Sequence, residues 1–519
     1  MKKTRLPAIL FLLLASQSCV QKDNLLREIE KTMLNATRYM VEDISTDGGY
    51  LWYYLPDHSR RWGEMEAYES MIWLQHPGTV SMGHTFLDAY HATKDEYYYT
   101  AAMKAAAAIV RGQRPEGGWN YMIDFAGEES ISQWYSTIGK NGWRLEEFQH
   151  YYGNSTFDDK VTADAARFLL RVYLEKNDPT FMAALEKVID FILVSQYPEG
   201  GWPQRYPLRY DFIKNGKPDY SSLFTFNDDV IWENIHFLVQ CYQNLSKEDY
   251  TDAITRGMNF YLLSQHSSGG WAQQYDMDLN PAGARSYEPL ALLPSTTSKN
   301  AMLLLRFYEL TGEMKYLDGI PKAIEWLELT RLPEGSSEAG RYTHPTFVEP
   351  GTNKALYVHR KGTNVIYGRY YYDDHDTLLL GHYSGKGRID LDGLKMQYDS
   401  LASAGPRKAS VELLMDEKRY FDLNPTGHGH SIDEQEIMEI IQALDENDRW
   451  LTRGAMISHP YCGDGQNQES TDKFATTHVG DKTDTSPYRD STRQEYISTR
   501  LYINNMRLLI NYVNKGSAP

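Results

Sequence analysis

The 519-residue sequence has three cysteines, Cys19, Cys241 and Cys462, so no disulfide framework can staple the fold. Basic charge is also scarce. Lys and Arg total 53 against 70 Asp and Glu, a formal net charge of −17. That excludes the broad basic face of a nucleic-acid binder. Long apolar runs are missing as well. The one strongly apolar stretch, "LPAILFLLLA" near the N-terminus, is too short to span a bilayer comfortably. No phosphate-cradling glycine loop and no G-x-S-x-G nucleophile elbow occurs. "HGHS" (428–431) reads as a polar loop, and His459 and Cys462 lack the partners of a zinc site.

Apolar residues make up 41% of the chain, enough for a large core. Aromatics are plentiful, with 39 Tyr and 11 Trp; flat faces of this kind suit sugar rings and also fill cores. Lys2, Lys3 and Arg5, the apolar run and then "SQSC" read as an export signal over residues 1–19. Cys19 just after it resembles a lipoprotein acceptor, so the expected location is the periplasm or the outer-membrane or cell surface, anchored by lipid on Cys19.

The body of the chain repeats. "GGW" begins at Gly117, Gly200 and Gly269. The copy from Phe157 to Trp202 aligns without gaps on that from Phe226 to Trp271, at an offset of 69. An earlier copy aligns at an offset of 83, and a fourth, after Thr296, ends without the motif. Ala165, Phe168, Leu169 and Val172 have helical spacing, as do Leu185, Val188, Ile189 and Ile192, and Asp178-Pro179 marks the start of the second helix. Helical pairs at this period mean an array or ring of hairpins. The expected fold is mainly α: an α/α toroid over 20–345, a smaller short-β closing segment over 346–425, and a C-terminal loop and helix over 426–519 packing on the toroid. A monomer is expected.

In such an array function sits where copies differ. Three features stand out. One copy alone continues "GGWPQRYP", so Arg205 and Tyr206 are held by prolines, and Trp202 is either a packing residue or part of a sugar-binding rim. Asp158-Asp159 and Asp228-Asp229 precede two of the first helices. They could cap those helices, or gather hard oxygen ligands suited to calcium, or do both. Finally "ARSYEP" places Arg285, Tyr287 and Glu288 after the last GGW.

The blocks "QYPEGGWPQRYPL", "FTFNDDVIWENIHFL" and "ARSYEP" resemble the signature blocks of family-10 pectate lyases, over roughly residues 100–370. "TFDDKVTADAARFLLRVY" is similar to that family's first acidic block. The resemblance implies a helical toroid that cleaves 4-linked galacturonate by Ca²⁺-dependent β-elimination, with acidic plant polysaccharide (polygalacturonate, pectin) as partner. It implies that Asp228 is the calcium carboxylate, with Asp158 a second acid in the groove beside Asp159 and Asp229. It implies that Arg285 abstracts the proton and that Arg360 in "HRKG" binds substrate. The loop readings above add Arg205, Tyr206, Trp202, Tyr287 and Glu288 to the expected substrate-binding residues. The chain departs from the family pattern at Asn120-Tyr121, at "LALLPSTTS" and at Asp373–Asp376. Two alternatives remain open: a glycoside hydrolase on the same toroid, using Glu64 and Glu66 or the Asp pairs, and a non-catalytic surface glycan-binding lipoprotein.

Overall fold

The structure, a computed structural model, describes residues 7–141, 146–209, 219–245, 250–333, 341–361, 369–377, 379, 385–405, 433–454 and 495–516. The helical hairpins read from the repeat are present. They are α2 (Thr79–Thr93) with α3 (Glu96–Arg111), α5 (Val161–Lys176) with α6 (Met182–Ser195), and α7 (Val230–Leu245) with α8 (Thr251–Leu263). The next is α9 (Pro294–Thr311), which packs on α10 (Lys315–Asp318) and α11 (Ile320–Leu329); α4 (Glu128–Thr137) lies in the insertion between the first two hairpins. Helix α2 packs on α5, and α5 on α7; Trp232 of α7 meets Phe307 of α9 with ring centroids 6.0 Å apart. Then α12 (Leu391–Ser403) packs on α9. The last helix, Thr499–Gly516, lies against α2 and against α1 (Pro7–Tyr39), and Glu434–Gln442 packs on both. This is an α/α toroid. Among the described residues no helix is long and apolar enough to cross a membrane. Residues 428–431, His459 and Cys462 lie outside the described residues.

Local chemistry sets the helix ends. Asp95 caps α3 by accepting from the Tyr97 amide. Asp178 caps the turn that opens the second helix of its pair, with Pro179 at the first position. Asn177 in the left-handed region stops α5, and Gly312 stops α9. Every residue of the two periodic sets that marked α5 and α6 is buried.

The GGW motif is the joint between hairpins. The first glycine has φ of +118, +105 and +104° at 117, 200 and 269. A Cβ there would lie 2.5, 2.1 and 2.2 Å from the carbonyl oxygens of Lys187, Arg256 and Lys322, each on the outer helix of the next hairpin. The tryptophan folds back, and its indole N–H donates to the carbonyl ten residues earlier: Ile109, Ile192 or Tyr261. Four residues before each glycine stands a glutamine, Gln113, Gln196 or Gln265. Its amide donates both to that glycine's carbonyl and to one in the next outer hairpin arm. A further copy appears that the sequence reading missed. Gly48-Gly49-Tyr50 has φ +90° at Gly48, whose Cβ would lie 2.5 Å from the Lys104 carbonyl. Tyrosine in place of tryptophan hid it.

Trp202 therefore belongs to this joint. It is 0% exposed, and stacking on a sugar would require the hairpin to open, so its assignment to substrate is corrected. The short strands expected after residue 345 are there: Phe347–Val348, Ala355–Lys361 and Arg369–Asp373 form one antiparallel sheet. The segment then returns to helix at α12.

Gly200→Ala should lower stability by about 2 kcal/mol or more, because both the positive φ and the Arg256 carbonyl resist a methyl group. Gly351→Ala, with φ +84° and open space around it, should pay only the backbone cost of about 1–2 kcal/mol. Urea midpoints of the two variants check the difference.

Candidate active site

Small antiparallel pairs hold the loops at one end of the toroid. Ser155–Thr156 pairs with Arg205–Tyr206, and Phe224–Thr225 with Gln274–Tyr275. Each pair ties the segment after one GGW to the turn before an inner helix, so the two acidic turns face the same end.

Both turns use two consecutive left-handed residues. Asp159 and Lys160 have φ of +48 and +62°, and Asp228 and Asp229 have +49 and +64°. The backbone therefore equates Asp159 with Asp228, Lys160 with Asp229, and Asp158 with Asn227, as the offset of 69 requires. Pairing the two "DD" dipeptides by eye is wrong by one residue. Left-handed non-glycine residues cost roughly 1–2 kcal/mol each, and strain of this kind collects at functional sites. No side chain caps α5, so capping does not explain the acids of the first turn. The next hairpin, opened by α9, lacks the two extra residues. Thr162 and Thr297 hydroxyls both accept from the indole-bearing residue of the preceding GGW, yet Thr297 follows its strand more closely, and α9 starts at once with Pro294.

Asp158 is buried at the centre. Its Oδ2 accepts from the Tyr121 hydroxyl at 2.5 Å and from Arg285 Nη2 at 3.0 Å; its Oδ1 is buried and meets no hydrogen-bond donor. Arg285 is buried too, and three carboxylates surround it. Its Nε donates to Glu147 at 3.1 Å and its Nη1 to Glu288 at 3.4 Å, while its backbone N–H donates to Glu288 at 2.9 Å. Glu146 takes both the amide and the hydroxyl of Ser286. On the other flank Gln75 donates to Asp159 at 2.6 Å and to Glu64 at 3.3 Å.

Six carboxyl groups thus converge around one guanidinium: Glu64, Glu147, Asp158, Asp159, Asp228 and Glu288. They cannot all be ionised without compensation. Burial pushes Asp228 well above the carboxylate range, with Asp158 and Asp159 adding to it. Burial and the Asp159 charge do the same to Glu64. Asp159 is pushed up to about 7 by its enclosure and by Asp158. Glu147 is raised by burial, against the pull of Arg285. Asp158 goes the other way: burial raises it, but Arg285 and the Tyr121 hydroxyl outweigh that and hold it below the usual value.

The donor set suits a hard cation: Asp158, Asp159 and Asp228 offer oxygens, one of them buried and without a donor. The oxygens are not drawn together as in a loaded site. Among the described residues the one trio of ligand atoms within 4.8 Å is Asp373, Asp374 and His375, exposed on the closing sheet, where His359 Nε2 already contacts Asp373 at 3.0 Å.

The remaining assignments divide. Asp229 turns away from the acid cluster and pairs with Lys160 Nζ at 3.5 Å and with Lys299, which separates it from the expected calcium ligands. Glu288 holds Arg285 rather than facing a groove, and Tyr287 packs under the closing sheet, its ring 5.2 Å from that of Tyr370. Arg205 is buried, its guanidinium 4.5 Å from the Tyr152 ring centre and 5.2 Å from that of Tyr121. It braces the site wall and is not free to grip a chain. Tyr206, half-buried, leans on Phe191. Arg360 is fully buried, on the face of its strand shared with Val358, which packs in the Tyr287 cluster. Four of the residues expected to bind substrate, Tyr287, Glu288, Arg205 and Arg360, are therefore buried rather than set on an open rim. Of the hydrolase pair, Glu64 is in the cluster, but Glu66 is clamped by Arg60 at 2.8 and 3.0 Å. Glu146, Glu147, Gln75 and Tyr121 were missed. Tyr121 stands at one of the departures from the family pattern, and "LEEF" sits in the insertion that breaks the repeat; both were signals.

The fold thus gathers buried acids and an arginine at one end of a helical toroid. The family model described as Pectic acid lyase matches residues 124–235 and 231–280. Over that stretch the chain is pectic-acid-lyase-like, and an enzyme acting on polysaccharide; Arg285 and Arg360 lie beyond the matched residues. No curated protein matches in sequence. Among solved structures, a mutant family 10 polysaccharide lyase from Cellvibrio cellulosa in complex with trigalacturonic acid is 18% identical, covering 62% of this chain and 98% of its own, with a TM-score of 0.40. A second structure of a family 10 lyase from that organism is 18% identical over 53% and 84%, with a TM-score of 0.36. A sugar epimerase from a ruminal bacterium is 10% identical over 95% and 100%, with a TM-score of 0.39.

With chelator present, Asp159→Asn should stabilise the protein at pH 8, where the native carboxyl must ionise beside Asp158. The raised value means that the native state holds its proton longer than the unfolded chain, so stability falls as pH rises from about 4 through about 7. The gain from Asn should shrink towards pH 4, as melting curves at the two pH values would show.

Proposed function

We propose that the protein is a calcium-dependent pectate lyase that cleaves 4-linked galacturonate chains by β-elimination. The observation that carries this reading is the meeting of Asp158, Asp159 and Asp228 with Arg285, from three separate loops, at one end of the toroid. The family match supports the reaction class.

In β-elimination the C5–H bond breaks, its electron pair forms the C4=C5 double bond, and the C4–O bond breaks as the departing sugar oxygen takes up a proton. The C5 proton lies beside a carboxylate, so its removal loads that carboxylate with further negative charge. Cations must meet that charge. Asp158, Asp159 and Asp228 would hold a Ca²⁺, which supplies positive charge to the substrate carboxylate. Arg285 is the catalytic residue in this reading. Glu147 and Glu288 fix its guanidinium plane, and Asp158 links it to the acid cluster. The same carboxylates stabilise its cationic form; two unit charges about 4 Å apart interact by roughly 4 kcal/mol at an effective dielectric near 20. Taking a proton from C5 needs the neutral form, so the reaction is expected to run best in alkali. Export and a lipid anchor at Cys19 belong to the same proposal, and the mass of the mature N-terminus tests them.

One observation favours a second reading. Glu64 is a buried carboxyl that shares Gln75 with Asp159, and burial and the Asp159 charge raise its affinity for a proton, as the acid of a glycoside hydrolase requires. The products separate the two, since elimination leaves an unsaturated sugar that absorbs in the near ultraviolet and hydrolysis does not.

Polygalacturonate with Ca²⁺ should give near-ultraviolet product that rises with pH above neutrality and disappears with chelator. Asp228→Asn and Arg285→Ala should each lower kcat by at least about a hundredfold, the loss typical of removing one transition-state charge contact. Reducing sugar formed without near-ultraviolet absorbance would overturn the lyase reading.

A further inference from the structure

Next to the acid cluster lies a cavity of about 320 Å³ whose character is different. Asp159 and Asp228 form one wall. The opposite wall is the start of α9, with Ser295, Thr296, Lys299 and Asn300, and Lys160 and Asp229 complete the lining. Asp229 is largely shielded and holds both lysines, Lys160 at 3.5 Å and Lys299 closer still. The lysine side chains remain 41% and 54% exposed. Lys160 also reaches Glu233 at 2.9 Å, which fixes its direction. An ammonium has three N–H donors, so each lysine keeps donor capacity beyond these contacts.

Two further features of this wall point to an anion. No side chain caps α9 and no acid stands in its first turn, so the amides of Ser295 and Thr296 end a helix of 18 residues at the cavity. Asn300, one turn on, is 3% exposed, and its Nδ2 donor has no hydrogen-bond partner. An uncapped helix start, a buried amide donor and two anchored ammoniums around one cavity are more than a solvated surface requires.

We propose that this cavity is a carboxylate-binding subsite for a uronate next to the one that reacts, with Lys160 and Lys299 as its charged donors and Asn300 and the α9 amides completing it. It rests on the uronate reading given above. Asp229, one of the expected calcium ligands, is then a positioning residue that holds the two ammoniums apart and aims them. The two walls divide the work: the acids need a cation before a polyanion can approach, whereas the lysine wall accepts a carboxylate directly. Esterified sugars lose that contact, so the subsite selects for the free acid.

The test is calorimetric binding of trigalacturonate to the full chain at pH 6 with Ca²⁺, where elimination should be slow. Lys299→Gln and Lys160→Gln should each weaken binding about tenfold with unchanged melting temperature, and Lys299→Arg should restore most of it. The methyl ester of the same trisaccharide should bind weakly to the unmodified chain and be indifferent to Lys299→Gln. On polygalacturonate Lys299→Gln should raise KM and spare kcat. Trigalacturonate binding unchanged in both glutamine variants would overturn the subsite. A chain that binds through the lysines but yields no unsaturated product keeps the subsite and loses the lyase reading. A chain that yields product with KM unchanged in Lys299→Gln keeps the lyase and loses the subsite.

Discussion

The site depends on one contact, the Asp158 carboxylate against the Arg285 guanidinium. It joins residues 127 positions apart and lets a cluster of buried acids exist at all. Without the arginine, Asp158 would lose the charge that keeps it ionised, and Asp159, Asp228 and Glu64 would face it with no counter-charge. The contact also leaves the cluster unfinished. The guanidinium does not offset all of this charge, so Asp159, Asp228 and Glu64 bind protons more tightly than exposed carboxyls do, and protons are what a divalent ion displaces. A site that is part protonated and part paired is ready to exchange one kind of positive charge for another.

The scaffold answers a different need. Helical hairpins alone would slide past one another. The GGW joint locks each to the next through backbone contact, an indole N–H and a bridging glutamine, so the loops at one end are held in register. Placing three acids from two repeats and an arginine from a third loop within reach of each other requires that register. The strained left-handed turns before α5 and α7 then lift their carboxyl groups clear of the helix starts. Where those two residues are absent, before α9, the helix start itself is left bare.

The scaffold was largely legible. Periodicity marked the buried faces of α5 and α6, and Asp178-Pro179 marked the turn that opens the second helix. Legibility failed where chemistry replaced pattern. Tyr50 stands for tryptophan in the first joint, so a search for identical letters passed over it. The acid pairs look alike as dipeptides, but the alignment offset, already in hand, assigns Lys160 to the place of Asp229. Arg205, Tyr287, Glu288 and Arg360 have the composition of a sugar-binding rim, yet all four are buried: Glu288 holds Arg285, Arg205 lies against Tyr121 and Tyr152, and Tyr287 packs under the closing sheet. Glu147 and Gln75 could not be placed by any repeat. They come from segments outside it, and only folding shows which acid meets which arginine.

The last helix, Thr499–Gly516, sits between α1 and α2. Helix α2 therefore waits for a neighbour synthesised after every other helix described. Until then one flank of α2 is an open apolar seam, and the growing chain is a spiral with a sticky lip. Until the last helix docks, the faces of α1 and α2 that it covers are open to other chains.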